Sequence, residues 1–185
     1  MRGKASLACA FGLLLAAGGC GAPPNDGNQT ALTTSNASDQ APVALQIRTA
    51  SGERHAFTVE LAVDDLSQQR GLMGRTTLPE DHGMLFPFPV PRTASFWMKD
   101  TPLALDLLFI RPDGTIAAIL PGRPNDLHPV SAGEPVSAVL EIRQGRARAL
   151  GLSPGDRVRW GNCAGTSPRF GEGWQPDRFC PEGFD

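Results

Sequence analysis

Short segments in which apolar and polar residues alternate, separated by turn residues, constrain the fold of this chain most. Residues 43–48 alternate in this way, Ser51 and Gly52 mark a turn, and residues 57–63 alternate again. This arrangement predicts a β-hairpin. Similar segments recur, without long helical patterns between them. We therefore predict one mainly β domain over residues 43–162: a β-sandwich or partly closed barrel of about eight short strands, with one or two short helices.

Two local signals interrupt the strands. Asp64 or Asp65 is placed to cap a short helix over Leu66 to about Met73, because aspartate is a preferred residue at the start of a helix. Farther on, residues 84–86 form an apolar strand that the three prolines between positions 87 and 91 are expected to stop.

The N-terminal segment is typical of a secretory signal. A short basic region precedes a small-residue apolar run over residues 5–17, which is too short to span a bilayer. The small residues before Cys20 resemble the lipobox of bacterial lipoproteins. We expect residues 1–19 to be removed and Cys20 to be lipidated. Residues 20–42 then form a flexible tether, because they contain too few large apolar side chains to fold.

The expected location follows from this anchor. Gly21 after the cysteine favours the outer membrane, so the domain is expected in the cell envelope on the periplasmic side. In that oxidising compartment Cys163 and Cys180 are expected to form a disulfide that pins a C-terminal tail, residues 163–185. The formal net charge is −2, which gives no basic footprint for nucleic acid.

Several motifs in order resemble one family, the domain of unknown function 192 of bacteria and archaea. They are Gln69 to Arg75, Gly83 to Phe86, Ser95 to Thr101, Leu105 to Ile110, Asp113-Gly114, and Val139-Leu140-Glu141 to Gly155-Asp156. The resemblance implies a compact, mainly β, often exported domain and brings no established activity, substrate or cofactor. The family usually has Asn where this chain has Asp100.

Polar residues within these motifs are the candidate site. The predicted ligand-binding residues are Arg70, Arg75, Trp97, Lys99, Thr101 and Asp106. Asp106 interrupts an apolar strand, and a carboxylate there is costly unless it is paired. One hypothesis is a structural ion pair of Asp106 with Arg70 or Lys99. The second is a concave site for an anionic or sugar-like ligand, or a protein partner, with Trp97 as a stacking wall.

Two further hypotheses concern chemistry. Lys99 and Asp106 in a dry cleft could act in an enzyme, of hydrolase type or another, since burial lowers the pKa of a lysine. No recognised catalytic motif supports this, and no cofactor is expected. Alternatively, thioether and imidazole groups suit copper, whereas methionine more often fills a core. The candidate copper ligands are Met73, Met84, Met98, His82 and His128.

Overall fold

A computed structural model describes residues 40–164 and 170–184 of the chain. Residues 1–19, Cys20 and most of the predicted tether lie outside this part. The described residues form seven strands and two short helices, which confirms the mainly β class. The elements are β1 Val43–Arg48, β2 Arg54–Leu61, α1 Asp65–Arg70, β3 His82–Thr93, β4 Leu105–Ile110, β5 Ile116–Gly122, β6 Pro135–Arg143, α2 Arg146–Ala149 and β7 Arg157–Trp160.

The strands form one mixed sheet in the order β5-β4-β6-β3-β2-β1-β7, and the sheet does not close into a barrel. β2 and β3 are parallel, and the other neighbouring strands are antiparallel. A parallel pair needs a crossover connection, and α1 lies in that connection. Among the described residues, no helix has the length and apolar character needed to cross a membrane.

The prediction that prolines stop the strand after Phe86 is wrong. β3 continues to Thr93, and its pairing with β6 shifts register between Pro87 and Arg92. Proline cannot donate to a ladder and is tolerated at a bulge, so the prolines coincide with the place where regular pairing lapses. The extended end of β3 reaches the region where α1 lies.

Both faces of the sheet carry a hydrophobic core. One core includes Ile47, Leu140 and Ile142, and the other includes Leu107 and Phe86. Residues 136–142 of β6 are all buried because this strand lies between β4 and β3 and is covered on both faces. A polar side chain on β6 therefore has little access to bulk water.

Helix α1 is held by its own cap. The Asp64 carboxylate accepts a hydrogen bond from the Ser67 backbone N–H at 2.8 Å, and the Ser67 hydroxyl accepts one from the Asp64 N–H. The helix ends at Arg70, earlier than predicted. Gly71 follows with φ 48°, and a Cβ at Gly71 would lie 3.4 Å from the Phe86 ring. The close approach places the end of α1 against the Phe86 face of the sheet.

The described part of the C-terminal tail packs against β7, the strand at one edge of the sheet. Cys163 and Cys180 form a disulfide. The Phe179 ring stacks on Trp160 with centroids 4.4 Å apart, and their backbones form a β-bridge. Phe184 is 2% exposed and lies under the Arg159 guanidinium, 4.6 Å from its centre. The tail thus shields part of an edge strand that would otherwise offer unpaired backbone groups.

Candidate functional site

A cavity of about 390 Å³ opens on the Phe86 face of the sheet. Its walls come from α1 and the turn after it, β3, residues 94–97, Thr101, and one residue of β6. The lining side chains that carry polar groups are Asp65, Gln68, Gln69, Arg70, Arg92, Thr93, Ser95, Thr101 and Glu141, with Phe86, Phe96 and Trp97 as the aromatic part.

Glu141 is the buried ionisable residue among those that line this pocket, where Thr101, 5% exposed, is also buried. It lies in the middle of β6, opposite Met84 on one neighbouring strand and Leu107 on the other. Its side chain is 4% exposed. Within the described residues its carboxyl group has no ion pair and no hydrogen bond. Burial raises the pKa of Glu141 to about 8, because the charged form loses its hydration without gaining a compensating cation.

An aromatic side chain forms one edge of the pocket. Trp97 is 54% exposed, and the Lys99 ammonium lies 5.7 Å from the centroid of its ring. An exposed tryptophan offers a flat apolar surface beside polar groups, which is a common feature of small-ligand sites. Lys99 approaches the tryptophan but does not line the cavity.

The segment that carries Trp97 is fixed by backbone bonds. Phe96 exchanges hydrogen bonds with Val130 at 2.9 and 2.8 Å, and the Met98 N–H donates to the Asp126 carbonyl at 2.8 Å. Asp100 adopts φ 51°, a left-handed conformation that Asn and Asp tolerate better than most residues. Its carbonyl accepts a bond from the Gly74 N–H at 2.7 Å, so this segment is tied to the turn after α1.

The pocket unites some of the predicted site residues and separates others. Arg70, Trp97 and Thr101 line it, whereas Arg75, Lys99 and Asp106 do not. Arg75 instead forms a two-pronged ion pair with Glu60, with both N–O distances 2.5 Å, and this hydrogen bonding raises the pKa of Arg75.

The predicted ion pair of Asp106 with Arg70 or Lys99 is wrong. Asp106 lies opposite Ile142 on the other face of the sheet, and its carboxylate accepts a hydrogen bond from the Ala147 backbone N–H at 3.0 Å. Lys99 is half-exposed and is 3.9 Å from the Asp100 carboxylate. Because the sheet separates Asp106 from the pocket, Lys99 and Asp106 do not share a cleft.

The candidate copper ligands lie in different environments. Met84 and Met98 are buried in the core on the Phe86 face, whereas Met73 lines the pocket. His82 and His128 bond to Asp81 and Asp126 beside them. In the part of the chain that the structure describes, no group of three or more His, Cys, Asp or Glu side chains is arranged for a metal ion.

Sequence reasoning missed Glu141 as a site residue. The signal was present: a glutamate lies inside the apolar run over residues 136–142, the same kind of interruption that drew notice to Asp106. Gln68 and Arg92 were also missed. They bond to each other at 3.0 Å, and Arg92 stacks 4.1 Å above the Phe88 ring, contacts that depend on the unpredicted length of β3.

Several solved structures resemble this chain, including the following two. A "putative transcription regulator" from Sinorhizobium meliloti is 45% identical, with a TM-score of 0.63 over 65% of this chain and 94% of that one. A protein of unknown function from Novosphingobium aromaticivorans is 38% identical, with a TM-score of 0.62 over 66% of this chain and 94% of that one. No curated protein matches the chain. Residues 46–160 match the DUF192 model, described as an uncharacterized ACR, and the chain belongs to this family.

Proposed function

We propose that this domain binds a small polar molecule in the pocket between α1, the end of β3 and Trp97. The observation that carries the proposal is the Glu141 carboxyl group, buried at the pocket and without a partner among the described residues. The fully enclosed side-chain atoms without a hydrogen-bond partner do not include the Glu141 oxygens, so these oxygens reach the pocket. They can therefore bond to a molecule held there.

The composition of the walls supports a ligand of mixed character. Hydroxyl and amide groups from Thr101 and Gln69 lie in the same cavity as the aromatic rings of Phe96 and Trp97. A few polar groups that converge in an aromatic-lined hollow are typical of sites for small molecules. The volume of about 390 Å³ falls within the usual range of such sites.

The enzyme hypothesis based on Lys99 and Asp106 finds no support in the geometry, because the sheet lies between Asp106 and the pocket. The transcription role named for the Sinorhizobium relative is not extended to this chain. A formal net charge of −2 gives no general attraction to the phosphate backbone, which dominates binding to DNA.

We further propose that the domain is anchored to the outer membrane, facing the periplasm, through lipid on Cys20. The lipobox-like sequence and the polar tether up to residue 42 support this. Metabolic labelling with a palmitate analogue should mark the wild-type protein in the membrane fraction. Cys20→Ser should remove the label, and persistence of the label would contradict anchoring at this residue.

The binding proposal is tested with a matched pair of exposed threonines on strands. Thr93 lines the pocket and Thr58 on β2 does not. Residues 43–185 are titrated with methyl glucoside, N-acetylglucosamine, phosphate and citrate, with amide chemical shifts as the readout. At least one probe should bind saturably to wild type and to Thr58→Trp but not to Thr93→Trp. Absence of binding, or equal binding by both variants, would overturn the proposal.

A further inference from the structure

We propose that the pocket selects uncharged, polyhydroxylated molecules of the sugar type, and that Glu141 holds them as a neutral carboxylic acid that donates a hydrogen bond. This rests on the proposed function above and narrows it to one ligand class. The sequence left open whether the ligand is anionic or sugar-like. The charge that the buried end of the pocket can accept decides between the two.

The first step concerns the charged groups around Glu141. Helix α1 contributes Asp65 and Arg70 to the pocket, and β3 contributes Arg92; all are exposed. Arg92 bonds to Gln68 and stacks on Phe88. On β6 itself, Arg143 lies 3.7 Å from Glu80 and is exposed. The described groups therefore leave the buried carboxyl without a paired cation.

The second step is the protonation state that follows. An ionised carboxylate that is buried without a cation is much less favourable than the neutral acid. Burial accordingly raises the pKa of Glu141 to about 8, so the acid form predominates at neutral pH. A protonated carboxyl group offers one O–H donor together with an acceptor oxygen. This matches a ligand hydroxyl, which both donates and accepts.

The third step excludes an anion from the buried end. A phosphate or carboxylate ligand there would itself lose hydration beside a group that carries no positive charge. The guanidinium groups of Arg70 and Arg92 belong to exposed residues at the outer part of the pocket, where solvent screens their attraction. Trp97, with 54% of its surface exposed, offers a flat face against which the C–H face of a sugar ring can pack.

The experiment measures dissociation constants at pH 6.5 and pH 9.5 for methyl glucoside and N-acetylglucosamine, and for phosphate and citrate as anionic probes. Wild type should prefer a neutral probe and should lose about tenfold or more in affinity at pH 9.5, where Glu141 is ionised. The side chain of Glu141→Gln does not titrate. The dissociation constants of this variant at pH 9.5 and pH 6.5 should therefore be nearly equal. Glu134→Gln is the matched control, because Glu134 pairs with Arg111 outside the pocket, and it should behave like wild type.

The outcomes separate the two proposals. Preference for phosphate or citrate, with binding still blocked by Thr93→Trp, would overturn the ligand class but leave the pocket as a binding site. If the dissociation constant changes between pH 6.5 and pH 9.5 by the same factor in Glu141→Gln as in wild type, the proposed role of Glu141 is overturned. If no probe binds at either pH, both the site and the ligand class fail.

Discussion

Asp106 and Glu141 are acidic residues on the neighbouring strands β4 and β6, and their side chains point to opposite faces of the sheet. Asp106 lies opposite Ile142, and Glu141 lies opposite Leu107. Asp106 bonds to the Ala147 N–H at 3.0 Å, whereas Glu141 has no partner among the described residues. One carboxyl group thus stabilises a structural contact, and the other remains available to a ligand.

Glu141 should make the stability of the domain fall as pH rises. Its pKa is about 8 in the folded state against an ordinary 4.5, so between these values the folded protein keeps a proton that the unfolded chain has released. Stability from this group is complete below pH 4.5 and is lost progressively up to about pH 8. Each pKa unit corresponds to about 1.4 kcal/mol, so the total is several kcal/mol. Urea unfolding at pH 5 and pH 8.5 measures it.

Glu141→Gln serves as the comparison in that experiment. The amide does not titrate, so its unfolding free energy should change much less over the same interval. Hydrogen bonds to nearby groups lower the pKa values of Asp64, Asp81 and Asp126. Burial acts to raise the pKa of Asp113, but hydrogen bonds to Thr115 outweigh it and the pKa is lowered. These residues therefore titrate below this window. Parallel curves for wild type and Glu141→Gln would contradict the assignment.

Asp106→Ala should destabilise the domain by about 1–3 kcal/mol, because the Ala147 N–H would remain buried without an acceptor. Asp106→Asn retains a carbonyl oxygen at the same position and should cost less. Urea denaturation of both variants at pH 7 gives the comparison. Equal losses for the two variants would show that the hydrogen bond to Ala147 is not the source of the effect.

Lys99→Ala should change the unfolding free energy by less than about 0.5 kcal/mol. Its ammonium is half-exposed and lies 3.9 Å from Asp100, and exposed pairs of this kind contribute little. Thermal or urea unfolding in low salt provides the measurement. A decrease of several kcal/mol would instead indicate the buried ion pair that the sequence suggested.

Replacing Cys163 and Cys180 together by serine should lower stability by about 3 kcal/mol, as expected for closing a loop of this length; the two cysteines are 17 residues apart. Reducing agent should destabilise wild type by a similar amount and leave the double variant unchanged. If the reductant has no effect on wild type, the disulfide does not contribute to the fold.

The local structure of this chain was readable from its sequence where short-range signals suffice. Alternation at residues 43–48 and 57–61 gave the first hairpin, and Asp64 gave the start of α1. The position of β6 between β4 and β3 was not readable, since strand order depends on pairing between distant segments. The prediction that the prolines end β3 was wrong for a related reason, because a bulge accommodates residues that regular pairing excludes.

The candidate site was only half predictable for the same reason. Asp106 and Glu141 give one signal in the sequence, an acid within an apolar strand. Which of them meets a backbone donor depends on register, and a shift of one residue would exchange the faces of a whole strand. Arg70 and Trp97 belong to motifs that border the cavity, whereas Gln68 and Arg92 come together only through the full length of β3.

The pocket walls come from segments that lie far apart in the sequence, joined at Glu141 on β6, an interior strand of the sheet. A molecule held there would bridge the first helix, the end of the long strand and this interior strand at once. Occupancy would therefore oppose the opening of the whole domain rather than of one loop, since a ligand that binds only the native state shifts the unfolding equilibrium toward that state. Resistance to proteolysis would then report on whether the site is filled.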